Sequence, residues 1–315
     1  MSDTTSGGAA TRRIAYLGPE GTFTEQALRT QPDLRDEELL PMRTFVDVLN
    51  ATQDGEVDLG FAAIENAIEG TVNVTLDTLA FDTHLLIQRE VVLDIVMNLM
   101  AAPGTTLDDI TVVHSHPVAN AQCRSFLNAK LPGVAVEPAN STAAAAARAA
   151  KEPGVAALAP PLAGERYGLD VLASDIADIN GNQTRFLLVA PEGVPAPTGH
   201  DKTTLVLFQR DDHPGSLVSI LHEFSARNLN LTKLTSRPNR TTLGNYCFMV
   251  DVEGHIADDI MANCLRNIQA KHAEVKFLGS YPRAGNGSSA QREAATDAWS
   301  DAATWMDSLR SQIRD

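Results

Sequence analysis

Four short polar clusters interrupt apolar surroundings: GPEGTF at residues 18–23, IENAIEG at 64–70, HSHP at 114–117 and NGNQTRF at 180–186. In open α/β sheets the carboxyl ends of strands, where these clusters fall, are where ligands collect. Gly21 with Thr22, Ser115 with His116, and Ser141 with Thr142 open helical segments whose free backbone N–H groups can hold an anion. Thr22, Ser115 and Ser141 could equally be plain N-caps, each satisfying its own helix start. Glu65 closes the apolar run LGFAAI. It is either an acid or orienting acceptor, or a carboxylate satisfied by backbone N–H groups. In the last cluster Asn182, Thr184 and Arg185 bring several donors to the mouth of the apolar run FLLV. His114 and His116, two apart, share a face on a strand but lack a third ligand at a recognised spacing, so no metal is indicated. There is no glycine-rich nucleotide loop, nucleophile elbow or Cys/His pairing, so neither a cofactor nor covalent catalysis is signalled.

The elements that must position these groups belong to a chain long enough for two cores, at 315 residues with 43% hydrophobic content. A formal net charge of -15 and a pI near 4.9 set up a field that repels nucleic acid and anionic lipid. No stretch reaches the roughly 20 apolar residues that span a bilayer. The N-terminal residues lack the apolar core of a secretory signal, which leaves the cytoplasm as the expected compartment. Cys123, Cys247 and Cys264 are odd in number and scattered, and read as small core residues.

Residues 1–11 read as a flexible tail. From there to residue 190 strands and helices alternate, which predicts mostly parallel sheets covered on both faces. RRIAYLG is a strand, TFTEQALRT and TFVDVLNATQDGEVD are helices, and LGFAAIEN is a strand, giving β-α-α-β order. LLIQREVVLDIVMNLMA, read as one strand, opens a second series near Leu85. The expectation is two α/β lobes around a cleft, residues 12–84 with 174–190, and 85–173. PEGVPAPTGHD has the composition of a stiff linker, at 191–201. Residues 202–282 then read βαββαβ, a ferredoxin-like plait, with Leu217, Ile220, Leu221 and Phe224 forming one apolar helix face. The tail 283–315 ends in a segment that could form a short helix, with Trp299, Trp305 and Leu309 exposed or docked.

Taken together, YLGPEGTFTEQA, AAIENAIEGTVNVTLDTL, VHSHPVANAQCRSFL, STAAAA and NGNQTRFLLV resemble prephenate dehydratase, in that order. HPGSLVSILHEFSARNLNLTKLTSRP resembles the ACT regulatory domain that accompanies it. The resemblance covers residues 13–281. It implies a two-lobed catalytic domain like the periplasmic type 2 ligand-binding fold, and conversion of prephenate to phenylpyruvate, water and carbon dioxide without a cofactor. Thr184 is the implied hydrogen-bond donor to the departing hydroxyl, with Asn66, Asn182 or Glu65 orienting it. The helix starts at Thr22, Ser115 and Ser141 are implied binders of the substrate carboxylates.

Alternation adds a constraint. On a regular strand Thr184 and Phe186 share one face and Arg185 points to the other. Either Arg185 binds a carboxylate from an irregular backbone, or it is a structural cation. Phe186 walls the site beside the ring or belongs to the core. In the second domain the resemblance implies phenylalanine as effector. It would lie between paired domains and touch His213, Pro214, Gly215, Ser216 and Leu217 after the first strand, with Asn230, Leu231 and Thr232 beyond the helix. Such pairing implies a homo-oligomer, a dimer or a tetramer. The chain departs from the family pattern at Ala67, where a serine is usual, at Thr235 in place of a glutamate, and at Ser216 in place of an alanine. Arogenate dehydratase and a non-catalytic amino-acid sensor are the alternative readings.

Overall fold

The computed structural model describes residues 11–240, 246–285, 301–302 and 304–313. The tail expected at residues 1–11 lies, apart from Thr11, outside them, as does Trp299. In chain order the elements are β1 (Arg13–Leu17), α1 (Phe23–Arg29), β2 (Glu38–Met42), α2 (Phe45–Gln53), β3 (Leu59–Asn66), β4 (Gly70–Thr71), α3 (Asn73–Asp77), β5 (Leu86–Asp94), β6 (Asn98–Ala101), β7 (Val112–Ser115), α4 (Pro117–Gln122), α5 (Arg124–Lys130), β8 (Ala135–Pro138), α6 (Thr142–Ala149), β9 (Val155–Ala159), α7 (Pro161–Tyr167), β10 (Asp170–Ala173), β11 (Gln183–Ala190), β12 (Asp201–Gln209), α8 (Ser216–Ser225), β13 (Leu231–Pro238), β14 (Tyr246–Glu253), α9 (Asp259–Lys271) and β15 (Ala273–Pro282). They fall into two compact units, Met1–Thr78 with Val91–Pro191, and Leu79–Glu90 with Glu192–Asp315.

The first unit is built on two sheets, with strand orders β2-β1-β3-β11-β5 and β10-β6-β9-β7-β8. Three sequence expectations are corrected here. A strand, β2, separates α1 from α2, so the opening order is β-α-β-α-β. Its sequence ELLPM carries a proline, which an edge strand tolerates, and β2 is the edge of its sheet. Residues 85–101 are not one strand: β5 joins the first sheet and β6 the second, so the change of lobe falls between Asp94 and Asn98. The sheets are also mixed rather than mostly parallel. β11 returns antiparallel to β3, and β6 is antiparallel to both β9 and β10.

Small residues let the layers approach closely. A side chain at Gly60 would sit 2.4 Å from Thr52 Oγ1, so the glycine is what allows α2 to lie against β3. The alanine run of α6 places Ala145, Ala146 and Ala149, all fully buried, in one cluster with Ala157 and Ala159 of β9.

The second unit has the predicted βαββαβ plan, with strand order β13-β14-β12-β15. Ile220 and Phe224 of α8 and Met261, Cys264 and Ile268 of α9 bury against Leu205, Leu207, Val250 and Val252 of the sheet. The segment Leu79–Glu90 belongs to this unit too. Lys202 of β12 donates to Glu90 at 2.8 Å, and Lys276 of β15 donates to the carbonyls of Ala80 and Thr83. Phe81 meets Phe208 edge to face, and the Arg240 guanidinium lies 4.6 Å from its ring centre. Residues 304–310 are helical, with Trp305 and Leu309 exposed.

Candidate active site

β3 and β11 pair so that Thr184 stands opposite Asn66, and Arg185 opposite Glu65. The register then shifts, because Phe186 pairs with Ala63 and Ile64 is left as an extra residue on β3. Alternation along β11 turns Thr184 and Phe186 to one face, where both line a cavity of about 940 Å³ in the first unit. Phe186 is at once core and wall: it is 1% exposed and stacks on Phe61 with ring centres 5.2 Å apart.

Asn66 organises the polar side of this cavity. Its Oδ1 accepts from the N–H groups of Ile68 and Glu69 at 3.0 and 2.9 Å, which fixes which end of the amide is which. Nδ2 must then face β11, where it donates to Asn182 Oδ1 and to Thr184 Oγ1, both at 2.9 Å. Asn182 donates in turn to Gln122 Oε1 at 3.2 Å. Since Thr184 Oγ1 accepts from an amide, its own hydrogen remains to be donated, and no acceptor for it stands among the described residues. A buried hydroxyl with an unspent hydrogen is thus aimed into a cavity.

Helix starts supply the other side. Thr22, Phe23 and Thr24 at α1, His116, Val118 and Ala119 at α4, and Asn140, Ser141, Thr142 and Ala144 at α6 all line the same space. The two readings of the caps therefore combine. Thr22 accepts from Glu25 N and Ser141 from Ala144 N, so both are N-caps, and both also border the cavity. The partial positive charge of a helix start is available to an anion there.

Four candidates read from the sequence are corrected. Gly21 is absent from the cavity wall and its N–H is taken by the buried carboxylate of Glu25 at 2.6 Å. Ser115 is fully buried and donates to the Leu158 carbonyl of β9 at 2.6 Å, and His116, not Ser115, is the N-cap of α4. Glu65 and Arg185 lie off the cavity and face one another across the strands, Oε2 to guanidinium, at 3.8 Å. The regular alternation of β11 thus holds through Arg185. Ala67 also stands off the wall, with its N–H bonded to the Gln183 carbonyl.

Sequence reasoning missed Arg43, Glu69, Gln122 and Thr24, all of which line the cavity, with Met42, Ile95 and Met97 supplying apolar wall. Arg43 directly precedes Thr44, the cap of α2, and would have been flagged had β2 been recognised before it. The buried thiols Cys123 and Cys264 are both pushed up to about 12 by burial, so neither is a thiolate near neutral pH. Among the described residues no group of three or more His, Cys, Asp or Glu side chains is placed to hold a metal ion. No helix among them is long and apolar enough to cross a membrane.

The prephenate dehydratase family model matches residues 14–193, and the ACT domain model matches residues 203–269. This chain belongs to the prephenate dehydratase family. It is 42% identical to the prephenate dehydratase of Mycolicibacterium vanbaalenii over 94% of this chain and 98% of that one. Among solved structures it is similar to the prephenate dehydratase of Arthrobacter aurescens in complex with L-Phe, with 38% identity, a TM-score of 0.85, and 95% and 99% of the two chains covered. It is also similar to a quorum-quenching acylase, at 29% identity and a TM-score of 0.76, covering 87% of this chain and 98% of that one. One fold can thus carry more than one chemistry, and the activity has to be argued from the site.

In the ACT domain the expected effector residues form two groups. His213, Pro214 and Gly215 are exposed at the start of α8, where Gly215 caps the helix with a φ of 91°, a conformation that favours glycine. Ser216 accepts from Gln209, and Leu217 packs on the domain core. Asn230 directly precedes β13, which Leu231 and Thr232 open. Leu231 is level with Val252 of β14 and, through it, with Thr203 of β12. The α8 loop follows Gln209, six residues further along β12, roughly 20 Å away at strand rise. Within one ACT domain the two groups are therefore at opposite ends of the sheet.

Proposed function

We propose that this chain is a carbon–oxygen lyase that converts prephenate to phenylpyruvate, carbon dioxide and water. In that reaction the electron pair of the bond to the ring carboxylate enters the ring as carbon dioxide leaves. The ring hydroxyl then departs with its bonding pair and takes up a proton to become water. The step is limited by charge building on the departing oxygen. The observation that carries the reading is the Asn66 to Thr184 hydrogen bond at 2.9 Å, which commits the Thr184 hydrogen to the cavity. A donor placed there strengthens its bond as the charge develops, an effect typically worth about 10² to 10⁴ in rate. Threonine is too weak an acid to surrender its proton outright, so Thr184 stabilises the leaving oxygen while the proton comes ultimately from solvent. Phe186 and Met97 give the ring an apolar wall, and the starts of α1, α4 and α6 face its carboxylates.

Phenylalanine is the proposed effector, held by the ACT domain; the Arthrobacter aurescens relative is known in complex with L-Phe. Two groups of contact residues at opposite ends of one sheet can meet a single small ligand only if two copies contribute one group each. The edge strand β13, with no fully buried residue along Leu231–Pro238, is the surface available for such pairing. The reading is therefore a cytoplasmic homo-oligomer with no nucleic-acid or membrane partner, a catalytic domain at 12–190 and an ACT domain at 202–282. Phenylpyruvate formation tests it: turnover of prephenate well above that of arogenate is expected. A preference for arogenate would make the chain an arogenate dehydratase, and binding without product would make it a sensor.

A further inference from the structure

We infer that Arg43 is the side chain that binds a carboxylate of the dianionic substrate, the part that NGNQTRF had suggested for Arg185. The inference rests on the prephenate reading of the cavity. Among the lining residues Arg43 is the one Lys or Arg. Its guanidinium makes no hydrogen bond or ion pair with any described residue, whereas Arg185 is paired with Glu65 and turned off the cavity.

The backbone beneath it is fixed. Thr44, the next residue, caps α2 by accepting from Asp47 N at 3.0 Å, and Asp47 returns the bond to Thr44 N at 3.1 Å. On the other side Met42 is held in register with Leu17, which lines the cavity with it. A fixed backbone thus places Arg43, an exposed residue, at the border of a space that must take up two negative charges. The carboxylate on the wall, Glu69, lies in the turn held by Asn66 and accepts from Gln122, so it offers an anion nothing. Helix starts bring only about half a charge each, and a planar guanidinium is suited to grip a carboxylate with two parallel hydrogen bonds.

Prephenate kinetics of the full-length wild type, Arg43→Gln, Arg43→Lys and Thr184→Ala form the test, each at low and high salt. The Gln variant is expected to raise KM about 10- to 100-fold, the range of a lost charge-assisted hydrogen bond, with kcat within about threefold. The Lys variant should fall between, because it keeps the charge but not the two-pronged geometry. KM should rise more with salt, or fall less, in the wild type than in Arg43→Gln, a difference that a merely structural role would not produce. An unchanged KM and salt response, or a loss confined to kcat, would overturn the assignment. If the wild type turns over prephenate and Thr184→Ala does not, the reaction stands without Arg43. No phenylpyruvate from the wild type would remove both.

Discussion

Asn66 Nδ2 and Thr184 Oγ1 lie 2.9 Å apart, directly opposite one another on β3 and β11. The turn amides of Ile68 and Glu69 decide the direction of that bond, since they occupy Asn66 Oδ1 and leave its nitrogen to donate. Asn66→Asp keeps the shape and the two turn bonds but puts an acceptor where the donor was. The Thr184 hydrogen would then turn back to the carboxylate. A fall in kcat of about 10² is expected with little change in thermal stability, and kcat within threefold of wild type would show that Asn66 does not orient Thr184.

Arg185 and Glu65 form a pair whose worth is structural. The Arg185 side chain is 12% exposed and Glu65 is 40% exposed, at 3.8 Å. Arg185→Gln should cost about 1 kcal/mol or less in unfolding free energy and shift the KM for prephenate less than threefold. A KM raised tenfold or more in this variant would put Arg185 back among the substrate ligands.

The ACT domain carries a carboxylate that links its fold to acidity. Burial works against ionisation of Glu223, but hydrogen bonds from Asn267, Arg227 and His272 outweigh it and hold the group at about 2, against an ordinary 4.5. A depressed pKa gives stability that is fully present above about 4.5 and is lost as pH falls towards 2. Urea midpoints followed by circular dichroism should therefore drop between pH 5 and pH 3 in the wild type, and less steeply in Glu223→Gln. Parallel curves for the two proteins would show that the cluster does not matter to acid stability.

Effector contacts divided between two copies can be tested by mixing. His213→Ala and Asn230→Ala each damage one half of every site in a homo-oligomer, so each variant alone should respond weakly to phenylalanine. Oligomers reassembled from both would contain some sites built from two undamaged halves. Partial recovery of inhibition is expected on mixing. No recovery would place both groups at one site within a single copy.

The ACT plan was legible because its two helices repeat apolar residues at 0, 3, 4 and 7 and its strands are bounded by polar turns, which is local information. β2 was not legible: five residues with a proline show no period. β5 and β6 merged because the run from Val91 to Met100 is apolar on both sides of the break, with no Gly or Pro to mark it. Strand direction is set by tertiary packing, so the antiparallel return of β11 and β6 left no sign. In the site, alternation correctly turned Arg185 away from Thr184. The fate of Gly21 and Ser115 was hidden because it depends on partners, Glu25 and the Leu158 carbonyl, whose approach only the fold reveals.

The Thr184 hydroxyl is the centre of the account, and the kcat of Thr184→Ala on prephenate tests it most directly. Removing the hydroxyl should lower kcat by about 10² to 10⁴, with the melting temperature close to that of wild type and substantial activity restored by Thr184→Ser. A Thr184→Ala enzyme that forms phenylpyruvate at a near-normal rate would contradict the account.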